Sequence, residues 1–143
     1  MEERLVKVGI THGDINGIGY EVILKTLSDT RITELCTPVI YGSSKIAAYH
    51  RKALELPAVN LSIIAQAEDA GVNRVNVINC VDDETKVELC QSTTVAGEAA
   101  YLALEAAVTD LKRGAVDVLV TAPINKHNIQ NEQFHFPGHT EYL

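Results

Sequence analysis

The feature that most limits the fold is an alternation of short β-branched runs with segments of helical period. Residues 5–11 (LVKVGIT) read as a strand broken by His12-Gly13-Asp14, after which residues 17–29 carry Ile18, Val22, Ile23 and Leu27 near helical spacing. Residues 38–41 read as a second strand, Ser43 as a helix cap and residues 45–56 as a helix, followed by strand-like segments at 61–64 and 74–80. Residues 94–113 form the clearest helix, with a packing stripe of Ala96, Ala99, Ala100, Ala103 and Ala107 and a stop at Gly114. Residues 117–121 (DVLVT) then read as a buried strand ended by Ala122-Pro123. The charges of residues 82–89 allow an edge strand or a loop there. Such βα repetition predicts an α/β fold, a three-layer α/β/α arrangement around a mostly parallel sheet.

At 143 residues and 46% hydrophobic, the chain can bury one core. It carries 19 acidic against 12 basic residues, a net charge of -7, which argues against nucleic acid and anionic membrane as partners because both attract a surplus of Lys and Arg. Cys36, Cys80 and Cys90 are too scattered for a zinc site or a disulfide framework, and are expected as buried thiols in a reducing cytoplasm. No apolar run approaches the roughly 18 to 20 residues of a membrane span.

Polar chemistry collects in three places. Residues 11–19 (THGDINGIG) link the first strand to the first helix, where backbone N–H groups and the helix dipole favour an anion. The GxxxGxG spacing matches neither the dinucleotide fingerprint nor a Walker loop, so a tight turn explains the glycines at least as well. Residues 121–126 (TAPINK) follow a strand at its carboxyl end, where open α/β sheets gather ligand groups, and Lys126 suits a carboxylate or phosphate. His135 and His139 flank Phe136-Pro137-Gly138 without the further ligands that a divalent metal needs. Asp82-Asp83-Glu84, Tyr49-His50 and His127 are expected on the solvated surface.

Four segments taken together resemble the 4-hydroxythreonine-4-phosphate dehydrogenase family: THGDINGIGYE (11–21), AGEAAYLALEAA (96–107), VTAPINK (120–126) and FPGHTEYL (136–143). His12 stands where that family usually has proline, and Ile15-Asn16 where it has Pro-Ala. The resemblance implies an isocitrate/isopropylmalate dehydrogenase-like fold of two α/β/α domains with the active site between them. Residues 1–143 would be a partial first domain, with the segment leading to the second starting near 136–143. It further implies NAD or NADP as cofactor, a divalent metal (Zn, Mg or Co) whose histidine ligands lie outside this chain, a small phosphorylated substrate and a homodimer in the cytoplasm. In this sequence His139 and Thr140 would contact the substrate, with Asn125, Lys126 and Asp14 in support and no metal ligand. The activity implied is oxidation of 4-phosphooxy-L-threonine and decarboxylation to 3-amino-2-oxopropyl phosphate, in pyridoxal 5'-phosphate (vitamin B6) synthesis. Two other readings remain at this stage: a related dehydrogenase of 4-phospho-threonate or erythronate, and a stand-alone α/β module that binds an anion without catalysis. A chain ending here is also expected to leave the Ala-rich helix face and the 117–121 strand uncovered.

Overall fold

The computed structural model describes residues 4–129. Five parallel strands form one sheet in the order β3-β4-β2-β1-β5. They are β1 (Val6–Thr11), β2 (Cys36–Gly42), β3 (Leu61–Ile64), β4 (Val75–Asn79) and β5 (Val118–Thr121). The helices are α1 (Gly19–Leu27), the single turn α2 (Ile32–Leu35), α3 (Ser44–Ala53) and α4 (Thr94–Lys112).

Side chains alternate across the strands, so the register assigns the layers. Ile10, Ile40, Val75 and Val77 face Ile23 and Leu27 of α1, while Val39, Tyr41 and Leu119 face Ala103 and Ala107 of α4. Helices therefore cover both faces, as the repeated βα pattern predicts. Capping chemistry fixes the helix starts: Ser43 Oγ accepts the Ile46 N–H and Thr93 Oγ1 accepts the Ala96 N–H. Gly114, at φ +80°, ends α4 in the left-handed region.

Pro38 lies inside the central strand β2, where a missing N–H normally excludes proline. The β2–β4 ladder begins only at Val39 opposite Asn76, and the Asn76 side chain donates to the Pro38 carbonyl at 3.1 Å. A side-chain donor thus satisfies the Pro38 carbonyl just beyond the start of the ladder.

Of the edge strand or loop allowed at residues 82–89, the structure has the loop, with local bonds such as Thr85 N–H to the Asp82 carbonyl. Several expectations need correction. The helix expected at 17–29 is the shorter Gly19–Leu27, and α2 carries no sequence signal of its own. Cys90 is exposed, in a left-handed turn at φ +66°, and Cys36 and Cys80 are only half-buried. The Ala-rich face of α4 is covered, with Ala96, Ala103 and Ala107 fully buried against the sheet and its carboxyl end. The uncovered part is the edge strand β5, where Val118 and Val120 are 45% and 53% exposed.

The amino-terminal turn of α4 meets the segment after β5 at Gly97, where any Cβ would run into the Asn128 carbonyl. Since that neighbour is backbone and cannot rotate away, Gly97→Ala should cost about 1–3 kcal/mol of stability by overpacking. The neighbouring exposed Glu98→Ala should stay within about 0.5 kcal/mol of the parent in urea unfolding. Equal stability of the two variants would refute this contact.

Candidate functional site

The loop after β1 and the segment after β5 emerge side by side from the carboxyl ends of adjacent strands, the place where open α/β sheets bind ligands. They are bonded to each other: the Asp14 N–H donates to the Pro123 carbonyl at 2.8 Å. Gly13, at φ +65°, allows this approach, since a side chain there would strike the carbonyls of Ala122 and Pro123.

The β1–α1 loop is held from several directions. His12 is fully buried, and its Nε2–H donates to the Ala99 carbonyl on α4 at 2.9 Å. That bond leaves Nδ1 as an acceptor, which takes the Tyr20 hydroxyl proton at 2.8 Å. Tyr20 Oη in turn accepts the Ser43 N–H at 2.9 Å. His50 stacks on Tyr20 with ring centroids 5.4 Å apart and donates from Nε2 to the Ile15 carbonyl at 2.6 Å. Asn16 fastens the loop to residues 88–93: its amide donates to the Gln91 carbonyl and Thr93 Oγ1, its Oδ1 accepts the Glu88 N–H, and its carbonyl accepts the Cys90 N–H.

Burial governs the protonation of this cluster. It pushes the His12 imidazole down to about 4, against the pull of the Ala99 carbonyl, and raises the Tyr20 phenol. His50 is lowered for the same reason, against the Ile15 carbonyl and the Asp14 carboxylate. Its burial overturns the expectation of a solvated His50, and the missed signal is the i, i+4 spacing from buried Ile46 on α3.

The residues expected at the site have separate fates. Asp14 is half-buried and accepts the Asn16 N–H at 3.0 Å, which closes the turn. Asn125 Oδ1 accepts the N–H groups of His127 at 2.9 Å and Asn128 at 3.2 Å, so its carbonyl end is used in shaping its own turn. Lys126 is exposed and forms no ion pair among the described residues. The structure brings their two loops together but shows no bond among the three side chains. His139 and Thr140 lie outside the described residues. His12, Asn16 and Tyr20, all within the 11–21 segment but not among the expected site residues, organise this loop together with His50, which was expected at the surface.

Hydrogen-bonding capacity is left over at this end of the sheet. Thr11 Oγ1 at the end of β1, both polar atoms of the Asn128 side chain after β5, and His50 Nδ1 are buried without a partner among the described residues. Among the described residues no three His, Cys, Asp or Glu converge, so they do not fit a divalent metal. No helix among them is long and apolar enough to cross a membrane.

An open parallel sheet, covered by helices on both faces and with two bonded loops at the carboxyl ends of neighbouring strands, defines a protein of the α/β class. The sequence pattern described as "Pyridoxal phosphate biosynthetic protein PdxA" matches residues 34–143, and the chain belongs to that family. It is 61% identical, along its whole length, to a 4-hydroxythreonine-4-phosphate dehydrogenase of Bacteroides thetaiotaomicron, of which it covers 39%. A putative D-threonate 4-phosphate dehydrogenase of Clostridium botulinum is 32% identical over 95% of the chain, with 41% of that protein covered. Among solved structures, a 4-hydroxythreonine-4-phosphate dehydrogenase from Burkholderia phymatum superposes with a TM-score of 0.84 at 29% identity, over 97% of this chain and 42% of that one. The chain thus spans about two-fifths of the length of the relatives that it matches.

The buried histidine gives a pH dependence with a definite sign. His12 binds a proton near 6.5 when unfolded and only near 4 when folded. Stability is therefore complete above about 6.5, falls as pH drops from 6.5 to 4, and levels off below, losing about 3 kcal/mol through this group. His12→Gln should reduce proton uptake on unfolding near pH 5 by about one proton. Urea unfolding at a series of pH values would show it, and an unchanged slope would refute the assignment.

Proposed function

We propose that this chain forms part of an enzyme that oxidises 4-phosphooxy-L-threonine, with NAD or NADP as hydride acceptor, and releases CO2 to leave 3-amino-2-oxopropyl phosphate for pyridoxal 5'-phosphate synthesis. The observation that carries it is 61% identity along the whole chain to a relative named for the 4-hydroxythreonine-4-phosphate dehydrogenase activity. The 32% identity to a D-threonate 4-phosphate dehydrogenase makes oxidation of that neighbouring sugar-acid phosphate the second reading, and competing substrates separate the two. A stand-alone module without catalysis finds no support in a family of dehydrogenases.

In this reading residues 1–143 belong to the first of two α/β/α domains, and residues 136–143 begin the passage to the second. His139 and Thr140 orient the substrate by hydrogen bonds. Lys126, exposed and without an ion pair among the described residues, supplies positive charge toward an anionic group of the substrate. Asn125 and Asp14 act through the backbone, holding their turns in shape. The nicotinamide cofactor, when bound, accepts the hydride from the secondary alcohol. A divalent metal would need ligands from outside the described residues. A homodimer working in the cytoplasm completes the proposal.

Two outcomes are expected. The 143-residue chain alone should not reduce NAD or NADP with 4-phosphooxy-L-threonine and a divalent metal, because it spans only 39% of its 61%-identical relative. Turnover approaching that of such a relative would overturn the division of labour. In the longer protein, His139→Ala should lower kcat/KM by about 10- to 1000-fold, the cost of one lost polar contact in the transition state, with thermal stability retained. Loss of stability with normal kcat in the folded fraction would instead make His139 structural.

A further inference from the structure

A cavity of about 460 Å3 opens at the amino-terminal ends of β3 and β4 and the carboxyl end of α1, at the opposite end of the sheet from the loops that carry Asp14 and Lys126. The chain has 19 Asp and Glu against 12 Lys and Arg, yet none of the residues lining this cavity is acidic. Its one cation is Arg74, which has no ion pair or hydrogen bond from its guanidinium among the described residues. The hydroxyls of Thr30 and Ser62 and the side-chain amides of Asn60 and Asn73 form no hydrogen bond among the described residues, and Thr30, Asn60, Asn73 and Arg74 are exposed to solvent, from which a ligand would reach them. Just outside, the Asp29 carboxylate is paired with Arg31 at 2.7 Å. Lys25, in the last turn of α1, is paired with Glu21 at 3.5 Å, so Arg74 is the cation that the cavity itself presents to an anion.

A guanidinium with unspent hydroxyl and amide donors around it forms a set for an anion with several oxygens, since Arg offers two parallel N–H bonds to one oxyanion and the neutral donors serve the rest. A phosphate monoester uses more of this set than a carboxylate does. Leu27, Val59 and Val75 add an apolar part of the wall against which a short carbon skeleton can lie, and the volume is within the range of small-molecule sites, about 300–1,000 Å3. We propose that this cavity binds a small hydroxylated phosphate ester, at a site separate from the one between the β1 and β5 loops. The proposal does not depend on the reaction assigned above.

The test is a 1H–15N titration of the 143-residue chain with glycerol 3-phosphate, with glycerol as the uncharged control. Saturable shifts below about 10 mM are expected at amides in segments 28–33, 60–62 and 73–75, and none with glycerol. Arg74→Gln should weaken binding at least about tenfold through loss of a charged hydrogen bond. Asn73 sits at φ +58°, so Asn73→Gly keeps the backbone while removing the amide, and should weaken binding about threefold. Shifts confined to residues 11–19 and 120–126, no saturation in this range, or unchanged affinity in Arg74→Gln would each overturn the proposal.

Discussion

The His12 imidazole makes two bonds on which the arrangement of the carboxyl end of the sheet depends, one to the Tyr20 hydroxyl on α1 and one to the Ala99 carbonyl on α4. These helices cover opposite faces of the sheet, and only at its carboxyl end can one side chain touch both. A neutral imidazole can do this because it donates from one nitrogen and accepts at the other. Tyr20 passes the connection to the Ser43 N–H at the start of α3, and His50 returns it to the Ile15 carbonyl. The loop is therefore a fixed wall whose shape three helices determine together.

This bears on the departures from the family pattern. A proline at position 12 fixes φ and gives up a donor, so it stiffens a loop through the chain itself. Here His12 reaches stiffness through tertiary bonds, and Asn16 does the same with residues 88–93. Ile15 between them is fully buried in the cluster that joins α1, α3 and the first turns of α4. The two routes differ in what they leave exposed to conditions: a ring constraint is indifferent to pH, whereas a buried imidazole is not.

Most of the architecture was legible because hydrophobic period is a local property. Strand β3, the Ser43 cap, the alanine stripe of α4 and the stop at Gly114 all follow from short windows. What escaped depends on distant parts of the chain. His50 and Tyr49 are adjacent, and although His50 shares the helix face of Ile46, its stacking on Tyr20 is a contact from a distant part of the chain. The charges of residues 82–89 left strand and loop open, and the Glu88 N–H of the observed loop is bonded to Asn16, 72 positions away. Asn125 stood out beside Lys126, yet its carbonyl oxygen closes its own turn, a use that spacing cannot tell from ligand contact.

The exposed Cys90 has a consequence of a practical kind. Its backbone N–H is bonded to the Asn16 carbonyl, so its thiol is tethered one hydrogen bond away from the wall at the carboxyl end of the sheet. Cys80 is held well below reactivity by burial, which pushes its thiol up to about 12, and Cys36 is raised in the same direction. A thiol-reactive fluorophore would therefore settle preferentially at Cys90, and the native sequence carries an optical gauge of that loop without any engineered residue.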